Sequence, residues 1–110
     1  MDIKGQNIAI IGGGESGVGA ALLGKKMGAN VFVSDAGILK DQYRKELLKA
    51  NIDFEESGHN FERILASNYV IKSPGIPAHA PIFRELANKN INVLSEIEFA
   101  SKFTNAKKVC

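Results

Sequence analysis

Short apolar runs alternate with amphipathic segments along the chain. A short continuous apolar run predicts a buried strand, whereas apolar residues spaced three and four positions apart predict a helix. The predicted strands are Asn7–Ile11, Asn30–Ser34, Ile52–Glu55, Tyr69–Lys72, Asn92–Leu94 and one beginning at Lys107–Cys110. The predicted helices are Val18–Met27, Asp41–Ala50, Phe61–Ala66, Pro81–Asn88 and a segment from Ser95 that ends near Phe103.

This alternation of strands and helices predicts an α/β fold. Helical crossovers between parallel strands cover both faces of the sheet that they connect. We therefore expect a single Rossmann-like, three-layer domain over residues 1–110, with a mostly parallel sheet and helices on both faces.

Local signals predict the faces and the ends of the helices. Gly28 suits the position just after a helix, Asn60 can cap a helix start, and Pro81 suits a first turn. Ser95 and Glu98 have the spacing of a capping box. The side chains expected to face the core are Val18, Leu22 and Leu23 in the first helix, Tyr43, Leu47 and Leu48 in the second, and Ile82, Phe83 and Leu86 in the fourth.

Three loops follow predicted strands, at residues 12–17, 35–37 and 73–77. Ligands of open parallel sheets bind outside the carboxyl ends of the strands. These loops are therefore the candidate binding loops.

The first loop carries the pattern Gly12-x-Gly14-x-x-Gly17, after a strand and before a helix. A tight glycine turn exposes backbone N–H groups near the positive end of a helix dipole, which favours a phosphate. Ser16 adds a hydroxyl donor there. The alternative is a glycine turn that only packs the strand on the helix.

Asp35 ends the second strand, where dinucleotide-binding domains place the carboxylate that accepts from ribose hydroxyls. The alternative is a solvated loop aspartate. The third loop, residues 73–77, is rigid, and Ser73 Oγ and the Gly75 N–H are its candidate ligand donors. A plain loop explains this third pattern equally well.

Composition narrows the class of protein further. The 110 residues carry a net charge of +2, from 14 basic and 12 acidic residues, without a run of Lys or Arg. We expect neither a nucleic-acid nor a membrane partner, since no apolar run approaches the roughly 20 residues that span a bilayer. The single cysteine, Cys110, excludes an intrachain disulfide and fits a cytoplasmic location.

Few residues suggest catalysis or metal binding. His59 and His79 have no metal-ligand spacing to each other or to Cys110, so we expect surface or capping roles for them. Glu96 and Glu98 are expected to serve a helix N-terminus.

One apparent phosphate-binding motif is rejected. Gly19-x-x-x-x-Gly24-Lys25 resembles a Walker A loop, but Lys26 stands where a Ser or Thr would hold Mg²⁺. The segment also lies inside a predicted helix. We expect no metal site and no site for ATP phosphates in this chain.

Four blocks of the sequence resemble the N-terminal domain of the Mur ligases that add D-glutamate to UDP-N-acetylmuramoyl-L-alanine. The blocks are NIAIIGGGESGVGAA, VFVSDAG, VIKSPGIP and VLSEIEFA, and together they span almost the whole chain. Their order and spacing are far more specific than the glycine pattern alone.

The resemblance implies an ATP-dependent, amide-forming ligase of peptidoglycan synthesis with three domains. The first binds the UDP part of the muramoyl substrate, the second binds ATP through a P-loop, and the third helps to bind D-glutamate. The reaction activates the substrate carboxylate as an acyl phosphate, which the amine of D-glutamate attacks. The chain corresponds to the first domain, so ATP, Mg²⁺ and catalysis would belong to the other two domains. We expect the chain alone to bind UDP-type ligands weakly and to catalyse nothing.

The resemblance also implies a UDP site made by Gly14, Glu15, Ser16, Gly17, Asp35, Ala36, Gly37, Ser73, Pro74 and Gly75. Relatives carry a Thr-Arg pair where this chain has Ala36 and Gly37. Backbone groups, or neighbours such as Ser34 or Lys72, would therefore have to hold the uracil.

Two other functions remain open. The glycine pattern and Asp35 also suit an NAD-binding domain of a dehydrogenase or a nucleotide-sensing regulatory module. A docking domain whose glycine loop binds nothing is the third interpretation. The residues 73–77 and the last predicted strand favour the ligase.

Overall fold

The computed structural model describes residues 3–73, 76 and 80–101. In chain order the elements are β1 (Asn7–Ile11), α1 (Glu15–Lys26), β2 (Asn30–Ser34), α2 (Asp41–Lys49), β3 (Asp53–Glu55), α3 (Phe61–Leu65), β4 (Tyr69–Lys72), α4 (Pro81–Asn88) and β5 (Asn92–Ser95). Residues 96–101 are also helical.

The five strands form one parallel sheet in the order β3-β2-β1-β4-β5. The chain moves outward from β1 through β2 to β3, and then returns to the other side of β1 to add β4 and β5. At the carboxyl ends, Ile11 of β1 pairs with Ser34 of β2 on one side and with Lys72 of β4 on the other. The loops after β1 and β4 therefore diverge from a topological switch point, where such sheets bind ligands.

Side chains that alternate along the strands build two core layers. On β1, Ile8 and Ile10 pack with residues of α1, α2 and the helical residues 96–101, whereas Ala9 and Ile11 pack with residues of α3 and α4. Both faces of the sheet are covered by helices, which confirms the Rossmann-like three-layer fold.

Two predictions about helix faces are wrong. Leu22 of α1 is 37% exposed and Leu48 of α2 is 60% exposed. α1 lies against the sheet through small residues: a Cβ on Gly24 would stand only 3.1 Å from Val31 Cγ2. This close approach leaves no place beneath the helix for Leu22. α2 buries only Leu47 completely, and the next side chain along a helix points about 100° away from it.

The local signals predicted at Gly28, Asn60 and Ser95 are confirmed. Gly28 has a φ of 91° and donates its N–H to Lys25 O, and Asn60 Oδ1 accepts from the Arg63 N–H at 3.1 Å. Ser95 and Glu98 form a reciprocal capping box, with both hydrogen bonds at 3.0 Å. The helix after the first strand begins at Glu15, three residues before its predicted start at Val18.

Some predictions concern residues outside the described part of the chain: Pro74, Gly75, Pro77, His79, the helix end near Phe103 and the strand at Lys107–Cys110. Within the described ranges, no helix combines the length and the apolar character that a membrane crossing requires.

Candidate functional site

The loops after β1, β2 and β4 meet at one cleft of about 340 Å³ at the carboxyl edge of the sheet. Gly14, Glu15, Ser16, Asp35 and Ser73, all predicted site residues, line it. Gly12, Gly13 and Ile76 complete the lining. The structure thus brings five of the ten predicted site residues together at the switch point between β1 and β4. Gly17, Ala36 and Gly37 are not part of the lining, and Pro74 and Gly75 lie outside the described residues.

Two glycines of the first loop are required by packing. Gly12 has a φ of 106°, and a Cβ there would stand 2.7 Å from the Cβ and the Oγ of Ser73. A Cβ on Gly17 would overlap the carbonyl oxygen of Gly12. These glycines let β1, α1 and the loop after β4 approach closely, so part of the glycine pattern does serve packing.

Gly14 differs from both because no atom lies within 4 Å of the position that its Cβ would take. It is the N-cap of α1, and no side chain of the described residues caps that helix end. The N–H groups of a first helical turn have no partner within the helix and form its positive end. The packing alternative therefore leaves one glycine unexplained, at the edge of an open cleft beside an uncapped helix.

Asp35 joins the first two loops through backbone hydrogen bonds. Its Oδ2 accepts from the Gly13 N–H at 2.7 Å, and its Oδ1 accepts from the Gly37 N–H at 2.8 Å. Both oxygens hold backbone donors, so Asp35 fixes the first two loops to each other. Each carboxylate oxygen keeps acceptor capacity for a further donor, such as a ribose hydroxyl.

Ala36 and Gly37 are exposed beside Asp35. The Gly37 amide donates to Asp35, and the Gly37 carbonyl accepts from the Ser57 N–H at 2.9 Å. Both backbone groups of Gly37 are therefore engaged within the protein.

Ser34 does not reach the cleft. It is completely buried, and its Oγ lies 2.7 Å from Glu55 Oε2 and 2.6 Å from His59 Nδ1. Because a carboxylate only accepts, the single hydroxyl proton of Ser34 goes to Glu55 and the His59 Nδ1–H donates to Ser34. Ser34 is therefore not supported as a uracil contact, and His59 has a structural role that its isolated position in the sequence did not indicate.

The Lys72 side chain extends toward α4, in the core layer formed with α3 and α4. Its Nζ lies 6.0 Å from the centroid of the Phe83 ring on α4. Lys72 is not among the residues that line the cleft, so the structure does not support it as a uracil contact either.

Ser73 and Glu96 form a buried pair behind the cleft. Ser73 Oγ donates to Glu96 Oε1 at 2.5 Å, so the hydroxyl proton that was expected to reach a ligand is held by the carboxylate. Glu96 does lie at the start of the helical residues 96–101, as expected, but its hydrogen bond with Ser73 was not predicted. The register was the missed signal, because Lys72 and Ser95 pair at the ends of β4 and β5 and so bring the following residues to one edge.

An ion pair fixes the loop that follows Asp35. Glu56 Oε2 accepts from the Leu39 N–H at 2.7 Å and from Arg44 Nη2 at 2.9 Å. The hydrogen bond from Arg44, and then that from the Leu39 backbone, lower the pKa of Glu56, while Glu56 raises the pKa of Arg44.

The described residues contain no cluster of three or more His, Cys, Asp or Glu side chains that could hold a metal ion. The Walker-like segment from Gly19 to Lys26 lies within α1, which confirms that it does not form a phosphate-binding loop.

Comparison with known proteins identifies the relatives of the chain. Residues 7–82 match the family model described as the MurD N-terminal domain. The UDP-N-acetylmuramoylalanine--D-glutamate ligase of Porphyromonas gingivalis is 48% identical over 110 residues, which cover 100% of this chain and 24% of that protein. The ligase of the same name from Christiangramia forsetii is 49% identical over 100 residues, 91% of this chain and 22% of that protein. The chain thus spans about a quarter of the length of the curated relatives that it matches.

Solved structures agree on the fold. A murein peptide ligase from Psychrobacter arcticus superposes with a TM-score of 0.80 at 24% identity, over 90% of this chain and 21% of that one. A UDP-N-acetylmuramate-alanine ligase from Thermotoga maritima superposes with a TM-score of 0.77 at 19% identity, over 94% of this chain and 24% of that one.

Proposed function

Because the chain belongs to the MurD N-terminal domain family, we propose that it binds the UDP part of UDP-N-acetylmuramoyl-L-alanine. The parent enzyme is then the ATP-dependent ligase that adds D-glutamate to this substrate in peptidoglycan synthesis. Residues 1–110 form the substrate-binding domain.

One observation carries the proposal: the N-terminus of α1 opens without a side-chain cap into the cleft at the switch point. The diphosphate accepts hydrogen bonds from the amides of Glu15 and Ser16 and is attracted by the positive end of the helix. Gly14 admits the diphosphate because it has no side chain, while Gly12 and Gly17 keep the turn tight.

The uridine lies toward the end of β2 in this proposal. Asp35 uses its remaining acceptor capacity for a ribose hydroxyl, and the backbone of Ala36 recognises the uracil edge. This assignment follows from exclusion, since Ser34 Oγ, the Lys72 side chain and the Gly37 N–H are directed to other groups of the protein. Ser73 lines the opposite wall, and the family resemblance adds Pro74 and Gly75 to it.

The chemical step is proposed for other domains of the parent ligase. There, ATP and Mg²⁺ activate the substrate carboxylate and D-glutamate supplies the attacking amine. Among the described residues, the segment that resembles a P-loop lies inside α1, and we assign none of these residues a part in the chemical step. We propose the cytoplasm as the compartment, and neither a nucleic-acid nor a membrane partner.

An NAD-binding or nucleotide-sensing domain is the competing function. The strand order and the position of Asp35 suit it, but the family match does not support it. The binding test therefore includes NAD as one of its ligands.

The test is calorimetric titration of the purified chain with UDP, UDP-N-acetylmuramoyl-L-alanine and NAD, each paired with a melting curve. A ligand at about 100 times its dissociation constant adds roughly 2.7 kcal/mol to the free energy of unfolding, which raises the melting temperature of a domain of this size by about 10 °C or more. Both UDP ligands should bind and stabilise the chain, whereas NAD should not. Binding of NAD alone would contradict the proposal.

A further inference from the structure

A buried hydrogen bond links two segments that lie far apart in the chain. Ser73, just after β4, is 9% exposed, and Glu96, just after β5, is 8% exposed. Their Oγ and Oε1 atoms are 2.5 Å apart. A hydrogen bond to a charged acceptor in a buried place is among the stronger ones in proteins.

The pair lies against the base of the glycine turn. Ser73 Oγ is also 3.4 Å from the carbonyl oxygen of Gly12, and a Cβ on Gly17 would stand 3.6 Å from Glu96 Oε1. Ser73 is both a wall of the cleft and the neighbour that forbids a side chain at Gly12. The position of Ser73 therefore sets the distance between the loops after β1 and β4.

We propose that Glu96 is a positioning residue for nucleotide binding. Its carboxylate takes the hydroxyl proton of Ser73 and thereby holds the loop after β4 against the glycine turn, in the geometry that the ligand needs. Glu96 is not among the residues that line the ligand cleft, so it acts through Ser73. Holding the loop before the ligand arrives reduces the conformational entropy that binding costs. The inference rests on the proposed UDP site.

The charge of Glu96 would act in the opposite direction. A carboxylate close to the first turn of α1 repels a diphosphate there, and removing it would tighten binding most strongly at low salt. Positioning predicts weaker binding on removal of Glu96, at low and at high salt alike. The sign of the change therefore separates the two effects.

The test is a double-mutant cycle read by calorimetric titration with UDP, at a temperature where every variant is folded. Glu96→Ala and Ser73→Ala should each weaken binding by about tenfold, the lower end of the range for one hydrogen bond to a charged group, because the lost bond lies within the protein and not to the ligand. If Glu96 acts through Ser73, the dissociation constant of the double variant should exceed that of the weaker-binding single variant by no more than about twofold. Losses that multiply to about a hundredfold would overturn the proposal, as would tighter binding or an unchanged dissociation constant in Glu96→Ala.

Two further variants control the cycle. Glu96→Gln keeps an acceptor for Ser73 but removes the charge, so it should fold even if Glu96→Ala does not, and should bind UDP less than tenfold more weakly. Tighter binding by Glu96→Gln would also overturn the proposal. Glu98→Gln changes the same helical residues at the capping box, so it should lower the melting temperature and leave the dissociation constant unchanged.

A readout without ligand separates this inference from the proposed function. The Ser73 N–H donates to Ile11 O, and the Ile76 N–H donates to Ser73 O, both at 3.1 Å. In Glu96→Ala, under conditions where this variant is folded, these two amides should exchange hydrogen faster while the amides of β1 keep their rates. Unchanged exchange at both would overturn the positioning role, whereas a chain that binds no UDP but shows the faster exchange would contradict only the proposed function.

Discussion

Replacing Gly14 by alanine should separate ligand binding from folding. The backbone at Gly14 has a φ of −79°, which alanine adopts without strain, and the added methyl group would meet no atom within 4 Å. Alanine is a poorer N-cap than glycine but restricts the unfolded chain, so the stability should change by less than about 1 kcal/mol.

The same methyl group would stand where the diphosphate approaches α1. It would hold the phosphate away from the amides of Glu15 and Ser16. Losing one charge-assisted hydrogen bond costs about 1.5–3 kcal/mol, which corresponds to a UDP dissociation constant roughly 10 to 150 times larger.

Gly19→Ala is the matched control. Gly19 lies in the interior of α1, and its added methyl group would also meet no atom within 4 Å. This variant should be more stable by about 1 kcal/mol and should bind UDP like the unchanged chain.

Calorimetric titration with UDP and a melting curve on the three proteins make the comparison. Equal dissociation constants in Gly14→Ala and Gly19→Ala would refute the assignment of Gly14 to the diphosphate. A melting temperature that falls by more than about 8 °C in Gly14→Ala would instead assign Gly14 to the fold.

Three other changes test the surroundings of the cleft. Gly17→Ala should destabilise the chain by about 3 kcal/mol, because its methyl group overlaps a backbone oxygen; a melting curve matching that of Gly19→Ala would contradict this. Asp35→Ala should lower the affinity for UDP and also the stability of the fold, the latter by about 2 kcal/mol, because the carboxylate accepts from two backbone amides. A loss of affinity with an unchanged melting temperature would show that the loops do not depend on Asp35. Arg44 lowers the pKa of Glu56 below its ordinary 4.5, so the pair stabilises the fold above that pH, and this stabilisation is lost as the pH falls through the lowered value. Glu56→Gln should therefore reduce the loss of stability that the protein shows as the pH falls below 4.5. An unchanged loss of stability at acid pH would contradict the pairing.

Much of the fold could be predicted because its signals are local. The capping box of Ser95 and Glu98, the cap at Asn60 and the glycine after α1 are each set by residues a few positions apart. Strand positions followed from apolar runs, and the parallel sheet followed from their alternation with helices. The switch point then brought the binding loops to one edge.

The errors concern contacts between elements that are distant in sequence. The exposure of Leu22 depends on how closely α1 approaches β2, and the spacing of apolar residues along the helix does not reveal that distance. The hydrogen bond between Ser73 and Glu96 depends on the register of β4 and β5. Asp35 was placed correctly, but its two backbone partners are fixed only when the loops fold together.

A crystal structure of the chain with UDP bound would show whether the diphosphate binds at the N-terminus of α1. We expect diphosphate oxygens at about 3 Å from the amide nitrogens of Glu15 and Ser16, with the ribose beside Asp35. A diphosphate seated elsewhere, or an empty cleft at a UDP concentration that saturates the chain in solution, would contradict this expectation.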